Sequence, residues 1–306
     1  MSPVSAHSTH IHDLRRAVTL KLLSVFVFCL MAVCIKLLEH TYPTSQIVFC
    51  RSFFAIFPLL PLIWLAGQKS LMTKKPLAHL IRGAIGLAAM VATFYSLPRL
   101  PLATFTTIGF TMPLFVVLLA AVYLKEKMSA ARLLALLVGF AGVLLVLRPE
   151  SGFIGYAALI ALLSAFLIAV VTVVIRQLTA TENSLTIVVW FTLLSTAASG
   201  LWMAFEYVTP SWQDGWLLVG SGILGGLGQV LLTQSYRYGQ VSILTAFEYT
   251  ALIWAGLFGY LFWQEIPDKL TFAGAAIIIL SGLYVLTHAT RAQKRAALSS
   301  AASKPC

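Results

Sequence analysis

The sequence predicts an all-α polytopic membrane protein with ten transmembrane helices in two inverted five-helix repeats, and three observations lead there. First, 59% of its residues are hydrophobic and only 10% charged, with a mean hydropathy of +0.91, whereas a soluble globular domain carries about a quarter charged residues. Second, the apolar residues come in runs of roughly 20, the length of helix that crosses a hydrocarbon core. They lack the alternation that a barrel strand needs. Third, the chain reads as two copies spaced by about 140 positions. The run from Leu102-Ala103-Thr104 to Leu124-Lys125-Glu126 aligns without a gap on Val241-Ser242-Ile243 to Trp263-Gln264-Glu265, and Gly142-Val143-Leu144-Leu145-Val146-Leu147 has its counterpart in Gly282-Leu283-Tyr284-Val285-Leu286. An odd number of spans per copy sends the second copy into the membrane from the opposite side, the inverted repeat through which secondary transporters alternate access.

Taken in order, the expected spans are 17–38, 45–66, 78–98, 102–124, 130–148, 154–176, 184–205, 216–236, 241–263 and 270–288. Residues 1–16 are polar and form an expected cytoplasmic tail. No Ala-x-Ala site follows the first apolar run, so 17–38 reads as a retained anchor helix rather than a cleaved signal. The first repeat is 17–148 and the second 154–288, joined by links too short to hold another domain. The tail 289–306, with Arg291, Lys294 and Arg295, is expected to be disordered or to lie at the cytoplasmic membrane surface.

The formal charge is +11, which in a soluble chain would suggest nucleic acid. Here the basic residues mark topology instead. Arg15, Arg16 and Lys21 precede or open the first span; Lys69, Lys74, Lys75 and Arg82 precede or open the third; Lys125, Lys127 and Arg132 follow the fourth. The opposite face holds only Lys36, Arg99, Arg148 and Lys269, so the positive-inside rule puts both termini in the cytoplasm. The expected location is the bacterial cytoplasmic (inner) membrane, multi-pass. Cys29, Cys34 and Cys50 lie in spans and Cys306 ends the chain, which reads as packing thiols rather than a disulfide framework. His7, His10 and His12 read as a tail and not as a metal site, and no cofactor is expected.

An ionisable side chain inside a span is expensive unless it faces a cavity or a partner. Glu248 lies about 10 Å into the ninth span at 1.5 Å per residue, and its counterpart in the first copy is Gly109, so it is no copied structural element. A carboxylate there can carry a proton or hold a cationic substrate group. The competing reading is a buried partner that pins helix packing. Arg51, in the second span, suits a substrate carboxylate or phosphate, or else snorkels to the outer interface; its counterpart is near Phe191. Lys36 reads as an interfacial anchor. Pro113, at the middle of the fourth span, removes a backbone hydrogen bond and should kink the helix near Thr106, Gly109 and Phe110, making it a hinge candidate. Gln229 and Gln234 must face protein or water. With Tyr95, Phe110, Tyr249 and Trp254 they make a plausible lining for a polar organic solute. The glycines Gly83, Gly86, Gly139, Gly142, Gly222, Gly225, Gly226 and Gly228 read as close-packing positions between helices.

Arg82-Gly83 with Phe94-Tyr95-Ser96-Leu97, Pro113-Leu114-Phe115 before Leu124-Lys125-Glu126, and Gly142-Val143-Leu144-Leu145-Val146-Leu147-Arg148-Pro149 together resemble the EamA family of the drug/metabolite transporter superfamily, across essentially the whole chain. Gly225-Gly226-Leu227-Gly228-Gln229 and Phe247-Glu248-Tyr249-Thr250-Ala251-Leu252 are similar to the branch that moves S-adenosylmethionine or riboflavin or exports metallophores. The resemblance implies a central cavity lined chiefly by spans 1, 3, 4, 6, 8 and 9. Leu252 departs from the proline that many members carry in the ninth span.

The expected function is therefore a secondary transporter for a small polar or zwitterionic metabolite, with Glu248 as a candidate for proton coupling. Its partners are a small-molecule substrate, the lipid bilayer and protons, without nucleic acid, as a monomer or homodimer. An enzyme would need a nucleophile with its base, a metal cluster or paired carboxylates at membrane depth, and none is visible in the sequence. No Walker motif points to ATP. A ligand-binding sensor or assembly subunit, or a lipid flippase, is the alternative.

Overall fold

The computed structural model describes residues 4–38, 41–67, 72–123, 130–147, 155–239 and 244–284. Among them every regular element is helical. The first helix, α1, runs Val4–Leu38 and so absorbs much of the expected tail, because no Gly or Pro interrupts that stretch. Its apolar, membrane-length part is Arg15–Leu38. The next span, Thr44–Ala66, is two helices, α2 (Thr44–Phe54) and α3 (Ile56–Ala66), that meet at Ala55. Pro58 has no N–H to give to Phe54, which accounts for a break at that point. Gly67, at φ 70°, ends α3.

The helix α4 (Pro76–Ser96) opens with proline in its first turn. Then come α5 (Leu102–Gly109), α6 (Met112–Tyr123) and α7 (Ala130–Leu147). The second half holds α8 (Tyr156–Thr179), α9 (Ser184–Met203) and α10 (Trp212–Tyr238). The Asn183 side chain accepts the Leu185 N–H at 3.2 Å to cap α9, and Ser211 Oγ accepts the Asp214 N–H at 3.1 Å to cap α10. A 3-10 turn, Thr245–Thr250, leads into α11 (Ala251–Trp263), and α12 is Lys269–Tyr284. Six stretches are individually long and apolar enough to cross a membrane: those in α1, α2 with α3, α4, α8, α9 and α10. Glu126, Arg148 and the tail 289–306 lie outside the described residues, as do the side chains of His7, His10 and His12.

The packing repeats the duplication seen in the sequence. In the 140-residue register α1 corresponds to α8 and α4 to α10. The two most extensive contacts are α1 with α10 and α4 with α8, each the image of the other when the copies are exchanged. The contact of α2 with α9 is its own image, and that places counterpart residues against each other. Arg51 lies with its guanidinium carbon 5.9 Å from the centre of the Phe191 ring, its own repeat counterpart.

Hydrophobic burial does not drive helix association in lipid, so close backbone approach must. The glycines of α10 supply it. A Cβ on Gly222 would lie 2.3 Å from Phe54 Cβ, and one on Gly226 would lie 2.7 Å from the Ala55 carbonyl oxygen, against backbone at the α2–α3 break. Gly222→Ala is expected to destabilise the fold by about 1–3 kcal/mol, the usual cost of overpacking, read as a lower thermal midpoint of the detergent-solubilised protein. Outward-facing Trp64, Leu65, Leu201 and Ile253 are largely exposed, as suits lipid contact, and Trp212 and Trp216 sit at the α10 entrance where an aromatic belt belongs.

Candidate functional site

A cavity of about 320 Å³ lies between the two copies, at the lower end of the size range of small-molecule sites. Its walls come from α1, α4, the α5–α6 break, α8, α10 and the segment from Glu248 to Ala255, with Arg51 from α2 and Phe191 from α9 completing them. Most of the lining is apolar: Phe28, Met90, Phe94 and Phe105 are among its members. Set into it, among the described residues, are four charged groups, Lys21, Arg51, Arg82 and Glu248.

The backbone breaks that shape this cavity have local causes. Pro113 cannot donate to Gly109, so α5 ends there and the chain turns through Phe110 and Thr111, with the Thr111 N–H reaching only Ile108 O, at 3.0 Å. Gly109 and Phe110 both line the cavity. The second copy has Leu252 in place of a proline, yet the same depth is interrupted by the 3-10 turn. There the Ala251 N–H is shared between the Glu248 and Tyr249 carbonyls, and Thr250 Oγ1 donates to Phe247 O at 2.6 Å. The tighter winding of that turn sets the direction of Glu248.

Glu248 pairs with Lys21, whose Nζ donates to Glu248 Oε1 and to the Tyr236 hydroxyl at 3.3 Å. Lys21 is 1% exposed and Glu248 28%, so the pair sits at the cavity edge, with the lysine inside protein and the carboxylate still reachable. Arg51 donates from Nη2 to Gly225 O at 3.3 Å. Arg82 donates from Nη2 to Gln229 Oε1 at 3.5 Å and lies 3.6 Å from the centre of the Phe191 ring.

Of the residues expected to form the site, Glu248, Gln229, Phe110 and Arg51 line this cavity, and Arg51 is buried rather than snorkelling. The others point elsewhere, because a position in sequence fixes depth but not the helix face. Tyr249 turns away, packing edge-on to Phe110 at 5.0 Å and against Gly282, where a Cβ would lie 1.7 Å from its hydroxyl. Tyr95 is exposed, with the Arg99 guanidinium 4.0 Å above its ring. Trp254 packs on Phe26 at 4.7 Å. Gln234 borders a separate depression with Leu62, Asn183 and Arg237.

Two residues read as topology markers belong to the cavity instead, Lys21 and Arg82. Both fall inside expected spans, 17–38 and 78–98, and that alone was the signal of a buried role. Lys36, read as an interfacial anchor, is also buried. It bonds Glu265 Oε1 at 2.5 Å and the Leu100 carbonyl at 3.0 Å, while Glu265 Oε2 accepts the Leu102 N–H at 2.7 Å.

The description "EamA-like transporter family" belongs to a family model that matches residues 15–148 and again 155–287. The chain is 32% identical over 271 residues to a pseudopaline exporter of Pseudomonas aeruginosa, covering 88% of this chain and 95% of that one. It is 30% identical over 264 residues to a riboflavin transporter of Rhizobium johnstonii, covering 85% and 86%. To an S-adenosylmethionine uptake transporter of Rickettsia felis it is 28% identical over 261 residues, covering 85% and 88%. A solved crystal structure shares the fold with a TM-score of 0.66 at 21% identity, over 90% of this chain and 98% of that one. Two matched copies, a cavity between them and full-length similarity to named carriers agree: the chain belongs to the EamA-like transporter family and is a transporter, not an enzyme.

Proposed function

We propose that this protein is a secondary transporter that carries a small polar or zwitterionic organic metabolite across the bacterial cytoplasmic membrane by alternating access. The carrying observation is the cavity between the copies, apolar in its walls and charged at a few points, with Lys21 and Glu248 at its edge. That pattern suits a solute with an apolar body and ionised ends. The names of the relatives are consistent, since each names a small organic cargo.

In this reading ten spans form two inverted repeats that rock about the cavity, with both termini cytoplasmic. Glu248 takes a cationic group of the solute or a proton, Gln229 and Arg51 bind polar groups, and Phe110 is an apolar wall. The Pro113 break is the hinge.

Counterflow in proteoliposomes tests this, using S-adenosylmethionine, riboflavin, amino acids and a carboxylate-rich metal chelator as labelled solutes. One or more of them is expected to exchange. With a pH gradient imposed, gradient-driven flux that disappears in Glu248→Gln while exchange persists identifies Glu248 as the proton carrier. Ligand binding to a folded protein without flux of any solute, or scrambling of lipid alone, would overturn the reading.

A further inference from the structure

Among the described residues, the cavity holds more positive charge than its carboxylate balances. Lys21 is matched by Glu248. Arg51 and Arg82 line the same cavity and are 2% and 1% exposed, and the groups that they bond are neutral: the Gly225 carbonyl and the Gln229 amide oxygen. A guanidinium offers five N–H donors. Among the described residues, the Nε and Nη1 atoms of both are buried without a hydrogen-bond partner. An ion left in that condition costs several kcal/mol, a cost that an anion placed against those donors would relieve.

The surroundings are shaped to hold these two side chains. Both guanidiniums approach the ring of Phe191, at 3.6 Å for Arg82 and 5.9 Å for Arg51, where the ring face offers partial compensation. Each has a glycine beside it. A Cβ on Gly86 would lie 2.5 Å from Arg82 Nη1, and one on Gly225 would lie 2.6 Å from Arg51 Nε. Two glycines at these places leave room for two planar forks whose free edges meet no acceptor among the described residues.

We propose that Arg51 and Arg82 form an anion subsite that takes an oxyacid group of the transported solute, a carboxylate or phosphate, with Glu248 receiving its cationic end. This rests on the transport reading and narrows the cargo to solutes with at least one such anionic group. Planar, two-pronged recognition of an oxyacid is what a guanidinium does and an ammonium does not. Solute binding would give the free donors acceptors and offset part or all of the charge, a carboxylate one unit of it and a phosphate up to two.

The test is binding to the full-length protein in uncharged detergent, read as saturable thermal stabilisation. Citrate and inorganic phosphate are the probes, and dimethyl glutarate is the uncharged control. Citrate or phosphate is expected to stabilise wild type and dimethyl glutarate to have no effect; which acid binds more tightly distinguishes carboxylate from phosphate cargo. Arg51→Gln and Arg82→Gln should each weaken that binding by at least about tenfold, since removing one partner of a buried charge pair costs more than that factor. Arg176→Gln, at the exposed end of α8, should leave it unchanged. If a glutamine variant does not fold, Arg51→Lys and Arg82→Lys retain the charge, lose the fork and should weaken binding in the same direction.

Absence of saturable stabilisation by either acid in wild type would overturn the subsite, as would equal binding by wild type and every arginine variant. Counterflow of S-adenosylmethionine or riboflavin that survived either result would leave the transport reading standing. Acid binding that depends on both arginines, in a protein that exchanges no solute, would support the subsite and sink the transport reading.

Discussion

Glu248→Gln is expected to lose at least about tenfold in pH-gradient-driven flux, because an amide takes up no proton and a charge-assisted bond to a cationic solute group is worth more than the roughly 1.4 kcal/mol that a factor of ten represents. The same substitution should also cost stability. It removes the carboxylate from Lys21, which is 1% exposed and, among the described residues, retains the Tyr236 hydroxyl and ring nearby. Breaking a fully buried pair costs about 3–5 kcal/mol. Glu248 is 28% exposed, so a smaller loss, about 2–3 kcal/mol, is expected here. The double variant Lys21→Met, Glu248→Gln separates the two effects: with no orphaned charge left, its thermal midpoint should return toward wild type while its flux stays low. Recovery of gradient-driven flux along with stability would show that the pair serves only packing.

Glu265→Gln is expected to open the far end of the cavity. Glu265 and Lys36 hold three pieces of chain together: the end of α1, the Leu100–Leu102 link that joins α4 to α5, and the segment following α11. Gln264, in the left-handed conformation at φ 57° and ψ 26°, turns the chain back after α11 so that the Glu265 N–H bonds Gly259 O at 3.1 Å. A neutral amide in place of the carboxylate loses the ion pair. A loss of even about 1 kcal/mol shifts an open-to-closed ratio roughly fivefold. Leu97 lines the cavity and is 1% exposed. In a background without native cysteines, Leu97→Cys should therefore react slowly with a membrane-impermeant maleimide applied to intact cells, and several times faster once Glu265→Gln is added. Unchanged labelling would rule out a closing role for this clamp.

The helices, the duplication and the break at Pro113 were legible in the sequence because each depends on local chemistry: run length, self-similarity and a missing N–H. The place of Glu248 on the cavity wall was legible too, since a carboxylate in an apolar span must face a cavity or a partner, and it does both. Which face of its helix a residue occupies was not. Tyr249 adjoins Glu248 in sequence but points at Gly282, and Gln234 lies five positions from Gln229 yet borders a different depression. Lys21 and Arg82 were harder still. Within a turn or two of a span's end, a long cationic side chain that reaches for the headgroups and one that reaches inward have the same sequence signature. What distinguishes them here is the partner: Glu248 for Lys21, and Phe191 with Gln229 for Arg82, all far away in the chain.

Lys21 and Lys36 stand about 22 Å apart along α1 at 1.5 Å per residue, a large part of a hydrocarbon core about 30 Å thick. Both are bound to the same stretch of chain, at Glu248 and at Glu265. The two stretches thus form the uprights of a ladder with one rung toward each end. Under the transport reading proposed above, parting the uprights at one end while the other rung stays fastened would open the cavity to one side, and a leak would require both rungs to be undone together.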